Sequence, residues 1–141
     1  MPVLQFHLVA ASYPPAALSG LLAEASHFYA AALYPELPRA PVERVRALVC
    51  DSAPDLWATG AVLVSQGGAA APYFTCLALQ GRPPAQLQAM MAGLSEIVAR
   101  QLGCPLAQVR GRLIEIAPDH WFIGGVAAAQ ARAGEIAARA P

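Results

Sequence analysis

The sequence has 141 residues, 57% hydrophobic and 13% charged, with nine arginines against nine acidic residues for a net charge of zero. A chain of this length makes one compact domain or two very small ones, and its neutral, sparsely charged surface lacks the positive footprint that nucleic-acid binding needs. Its apolar content excludes disorder and exceeds what one small core comfortably hides, so an oligomer is expected.

Residues 3–10 read as a strand, and Tyr13-Pro14-Pro15 opens a helix, since proline is tolerated in a first helical turn. Leu18, Leu21, Leu22, Ala25, Phe28 and Ala32 then recur at helical spacing as one apolar stripe, which Pro35 and Pro38 stop. Residues 45–50 form a second strand, followed by a turn that ends in Trp57. The small, Gly-rich stretch 65–70, SQGGAA, reads as a linker. Tyr73–Leu79 is the third strand, and Gly81-Arg82-Pro83-Pro84 leads into a helix carrying Leu87, Met90, Met91, Leu94, Ile97 and Val98. Gly103 and Pro105 end that helix, residues 108–116 form the last strand, and a turn follows that ends in Trp121.

The pattern occurs twice. Arg46 and Trp57 are eleven apart, and so are Arg110 and Trp121. The expected organisation is a β-α-β repeat in 1–64, a linker in 65–71 and a second repeat in 72–141, closed into one domain. Each unit calls for a parallel strand pair with a right-handed crossover. The fold class is therefore α+β, a four-stranded sheet with two helices on one face. The uncovered face is expected to be apolar, supplied by Leu4, Phe6 and Leu8 with Phe74, Cys76 and Ala78, and to be buried by sheets packing between subunits.

No stretch approaches the ~18 apolar residues of a membrane span, and the opening MPVLQFHLVAAS lacks the basic and long apolar regions of a signal peptide. Cys50, Cys76 and Cys104 form no CxxC pattern, so neither a disulfide framework nor a structural zinc site is indicated, and a cytoplasmic location is expected. No metal-ligating or nucleotide-binding motif is present, and no cofactor is expected. The chain contains no lysine, so Schiff-base chemistry through a lysine amine is excluded.

From residue 71 the sequence resembles a subunit of 4-oxalocrotonate tautomerase: a strand running from a proline to Gly-Arg, an amphipathic helix, Pro-Leu-x-x-Val-Arg leading into a strand, then an aromatic followed by Ile-Gly-Gly. The first half resembles a diverged copy that begins at Met1-Pro2 and carries a short insertion around 34–40. Together they are similar to the fused members of the tautomerase superfamily, which form trimers.

The resemblance implies a catalytic base at Pro2, exposed by removal of Met1. Arg82 matches the arginine that binds a substrate carboxylate, and Arg46 and Arg110 match the arginine that polarises a keto or enol oxygen. Trp121 stands where the family has an aromatic that walls the site, with Trp57 as its counterpart. Arg46 is expected to face Pro2 from a neighbouring chain, and Arg110 to face the Pro72 site or contribute secondarily. Pro72 occupies the matching position of the second half, but its nitrogen is an amide and cannot act as a base. The first half has Ser12 near the Arg82 position, so the two losses complement one another and leave one composite site. The implied activity is keto-enol proton transfer on small 2-keto acids of the 2-hydroxymuconate or phenylenolpyruvate type, by a homotrimer without nucleic-acid or membrane partners. Leu79 and Ile123 stand where the hydrolytic dehalogenases carry an arginine and a glutamate, and Arg82 stands alone where the decarboxylases carry two arginines, which disfavours both reactions. The alternative is a binding or signalling protein on the same scaffold, in the manner of macrophage migration inhibitory factor.

Overall fold

The computed structural model describes residues 2–140. In the first half, β1 (Val3–Val9) leads to helix α1 (Pro15–Leu33) and then to β2 (Arg46–Ser52), after which β3 (Ala58–Thr59) and β4 (Val62–Leu63) form a small hairpin. The second half repeats this as β5 (Tyr73–Leu79), α2 (Pro84–Leu102), β6 (Arg110–Ile116) and the hairpin β7 (Phe122–Ile123) with β8 (Val126–Ala127). Two short helices, α3 (Ala128–Ala131) and α4 (Ala133–Ala137), follow.

The main sheet has the order β2-β1-β5-β6. Its outer pairs are parallel and its central pair, β1 with β5, is antiparallel, with Val3 opposite Leu77 and His7 opposite Tyr73. The halves are thus related head to tail across the middle of the sheet. Tyr73 follows Val3 by 70 positions whereas Arg110 follows Arg46 by 64, so the first half is six residues longer across its helix. Comparing the helix bounds assigns one of the six to the turn before α1 and five to the segment after it, a slightly wider spread than an insertion at 34–40 alone.

Both helices begin with proline at their first position, where a missing N–H costs nothing. Helix α2 buries Leu87, Met90, Leu94, Ile97, Val98 and Leu102, close to the stripe expected from its spacing. Helix α1 is rotated from expectation. Leu21, Ala25, Tyr29, Ala30 and Leu33 are buried, while Leu18, Leu22, Phe28 and Ala32 are only half-buried on its flank. The Tyr29 hydroxyl donates to the carbonyl of Leu77 at 2.6 Å, which satisfies the one polar group this deeper stripe takes under the sheet.

The expected apolar outer face is corrected by the register. Leu4, Phe6, Leu8, Phe74, Cys76 and Ala78 are all buried within the single chain and join one core with both helices. Side chains alternate along a strand, so the opposite face carries Gln5, His7, Tyr73, Thr75 and Arg112 beside Leu48, Leu77 and Ile114. That face is mixed rather than apolar. Thr75 donates to Oε1 of Gln5 at 3.2 Å, and His7 stacks on Tyr73 with ring centroids 5.2 Å apart.

Strand limits also shift. β2 begins one residue later than expected and runs on to Ser52, while residues 106–108 form a tight turn ahead of β6. Each tryptophan turn continues into a two-residue hairpin whose central residues, Gly60-Ala61 and Gly124-Gly125, have positive φ. Such turns match the twist of paired strands and favour glycine at both places.

Candidate active site at one end of the sheet

The antiparallel centre of the sheet sorts the expected site residues between its two ends. Pro2 precedes β1 and is buried, and its carbonyl accepts the backbone N–H of Arg46 at 3.0 Å. Because β1 and β5 run oppositely, the residues after Leu79 belong to this same end, and with them Gly81 and Arg82. Ile116 pairs with Leu79, so the turn that carries Trp121 follows at this end too. Pro2, Arg46, Arg82 and the Trp121 turn therefore share one edge of a single chain. The other end repeats the pattern: the Arg110 N–H donates to the carbonyl of Pro72 at 3.1 Å, and Trp57, Pro72, Tyr73 and Arg110 line one cavity of about 480 Å³. Met1, whose removal the amine chemistry requires, lies outside the described residues.

The arginines differ in setting. Arg46 is exposed, and its guanidinium donates to the carbonyls of Glu43 at 3.0 Å and Val45 at 3.2 Å. Arg110 makes the same pair of bonds, to Ala107 at 2.6 Å and Val109 at 3.1 Å. Arg82 is only 7% exposed, and it donates to the carbonyls of Leu79 at 2.7 Å and Leu33 at 3.4 Å. Burial, and next the nearby charge of Arg139, pull its pKa below the ordinary arginine value; a guanidinium nevertheless stays charged near neutrality. In the first half the corresponding turn holds Ser12 and Tyr13, and the Tyr13 hydroxyl donates to the carbonyl of Ala70 at 2.8 Å.

The surroundings of Arg82 went unread in the sequence. Tyr34 is buried, and the guanidinium carbons of Arg139, Arg44 and Arg82 lie 5.2, 5.3 and 5.7 Å from its ring centroid. Glu135 of α4 pairs with Arg44 at 3.1 Å and with Arg132 at 3.3 Å, while Arg139 approaches Glu36 at 3.6 Å. Four arginines thus face two glutamates here, a surplus of positive charge suited to an anion. The signal for α4 was present: Arg132, Glu135 and Arg139 stand at i, i+3 and i+7 in an Ala-rich stretch, the spacing of a charged helical face. The indole Nε1 of Trp121 is buried without a hydrogen-bond partner.

Among the described residues no group of three or more His, Cys, Asp or Glu side chains is arranged to hold a metal ion. No described helix is long and apolar enough to cross a membrane.

No family model matches the chain, and no curated protein matches it in sequence. Among solved structures it is similar to a native fused 4-OT, at 26% identity over 91% of this chain and 97% of that one, with a TM-score of 0.80. It is also similar to a wild-type fused 4-OT asymmetric trimer, at 24% identity over 92% of this chain and 98% of that one, with a TM-score of 0.79. A wild-type fused 4-OT symmetric trimer gives 24% identity over the same 92% and 98%, with a TM-score of 0.78.

Proposed function

We propose, from the premise that this chain is a fused 4-OT-like member of the tautomerase superfamily, that it is a tautomerase acting on small 2-keto acids and their enols through the secondary amine of Pro2. Residues 1–64 and 72–141 are then the two fused copies and 65–71 their linker. With Met1 removed, the Pro2 amine starts from an intrinsic pKa of ~8. Desolvation and neighbouring arginines lower it toward neutrality, leaving a free base. Pro2 takes a proton from the enol hydroxyl, or from the carbon beside the carbonyl, and returns it elsewhere along the conjugated chain. Arg46 bears the charge that develops on the oxygen, Arg82 holds the substrate carboxylate, and Trp121 keeps water from the amine. Arg110, at the end of the sheet that holds Pro72, takes no part in this step.

The observation that carries this reading is the complementarity of the two ends. Pro2 precedes one strand and Arg46 begins another where Arg82 follows a third, whereas the opposite end has only an amide nitrogen at Pro72 and Ser12 with Tyr13 in place of the arginine. A homotrimer belongs to the same proposal, supported by the trimeric state of the similar structures and by the exposure of Leu48, Leu56, Leu106 and Phe122. So does a cytoplasmic location, in keeping with three cysteines that are all free.

The test is spectrophotometric ketonisation of 2-hydroxymuconate and phenylenolpyruvate by protein whose mass confirms that it begins at Pro2, beside Pro2→Ala. Loss of a general base should cost about 10²–10⁴ in turnover. Turnover absent from both proteins, or unaltered by the substitution, would reassign the chain to binding on the same scaffold.

A further inference from the structure

A cavity of about 480 Å³ lies at the end of the sheet that has no amine. Its volume is that of a small-molecule site, typically ~300–1,000 Å³. Both halves build it. Trp57 and Thr59 come from the first, and Pro72, Tyr73, Gln108 and Arg110 from the second. Arg110 is the one charged residue lining it, and among the described residues it forms no ion pair. Its guanidinium is fixed through one nitrogen, Nη1, to the carbonyls of Ala107 and Val109, which leaves other donors for a ligand. The repeat shows what is missing: Glu43 and Arg44 at the Pro2 end correspond to Ala107 and Gln108 here, so neither a competing acid nor a second cation is present.

A single oriented guanidinium in a pocket walled by an indole and a phenol selects a small, planar monoanion, whose carboxylate the arginine grips and whose π-face the aromatics cover. We infer that this cavity is a second, non-catalytic binding site for a small unsaturated or aromatic monocarboxylate. The Pro72 nitrogen is an amide without a basic lone pair, so the ligand is held and released unchanged. Binding here requires no chemistry at Pro2.

The chain has two tryptophans, and in Trp121→Phe the fluorescence comes from Trp57 alone. Titration of that protein with trans-cinnamate should give a saturable change at one ligand per chain. Arg110→Ala in the same background should weaken binding at least tenfold, and Arg110→Lys less. Cinnamamide, which lacks the charge, should bind at least tenfold more weakly than cinnamate to the unaltered Arg110 protein, so the charge dependence is read even where an arginine variant fails to fold. An unsaturable response, or equal affinity for cinnamate and cinnamamide, overturns the proposal. Because nothing in the readout involves turnover, an inactive Pro2 leaves the result interpretable.

Discussion

The ring of Tyr34 lies against the guanidinium of Arg82, with 5.7 Å between the ring centroid and Cζ. Tyr34 stands at the start of the segment by which the first half exceeds the second, and its ring also receives Arg44 and Arg139. Three cations around one ring repel one another; Glu135 and Glu36 offset part of that, and the ring adds about 0.5–2 kcal/mol for each cation. Tyr34→Ala should therefore let Arg82 move from its seat and raise KM for a keto-acid substrate about tenfold, with kcat altered less. Tyr34→Phe keeps the ring face and should stay near wild type. Steady-state kinetics of the two variants separate the outcomes.

Glu135 ties α4 to Arg44, and this tie should respond to acid. Burial alone would raise its carboxyl pKa. The hydrogen bond from Arg44 and the charges of Arg44, Arg132 and Arg139 outweigh that and hold it below the ordinary value. A carboxyl depressed in the folded state contributes stability above its unfolded pKa of ~4.3 and loses it as pH falls through the folded value. Amide exchange over residues 132–139, corrected for intrinsic rates, should accelerate as pH drops below about 4.5. Glu135→Gln should show the faster exchange already at neutral pH and little further change.

Ala11 and Ala61 have φ of 61° and 66°, where Gly81 and Gly125 stand in the second half. A side chain in this left-handed region costs roughly 1–2 kcal/mol. Ala11→Gly and Ala61→Gly should each stabilise the chain by about 1 kcal/mol, a rise of about 2–4 °C in Tm. Thermal unfolding would measure it, and a fall in Tm would show that the alanines have packing roles outweighing the strain.

Gly93 of α2 meets Phe28 of α1, and a Cβ built on it would fall 2.1 Å from the ring's Cζ. Gly93→Ala would ordinarily gain ~1 kcal/mol in a helix interior. Here overpacking should reverse the sign and cost about 1–3 kcal/mol. Phe28→Leu, combined with it, should recover part of the loss in denaturant unfolding.

The sheet and both long helices were legible because proline and glycine mark their limits and the α2 stripe keeps one face. The rotation of α1 was not, since Tyr29 carries a hydroxyl that hydropathy discounts and that only Leu77, 48 residues away, satisfies. Assigning Leu4, Phe6 and Phe74 to the outer face failed for another reason. Alternation says which residues share a face, but not which face the crossover helix will cover. Pro2, Arg46 and Arg82 were singled out by the resemblance alone, and their common edge follows once β1 and β5 run antiparallel. Tyr34, Arg44 and Arg139 were not, because the contacts join an insertion to the C-terminal segment across some 100 residues, from Tyr34 to Arg139.

The central pairing of β1 with β5 joins two different sequences. Where identical short chains meet in such a pair, any substitution is made at both ends at once, and neither end can change without the other. Fusion removes that coupling. Ser12 and Arg82, or Glu43 and Ala107, can drift separately, so one end is free to lose an amine, shed its charges and acquire a new occupant while its twin keeps the original chemistry intact.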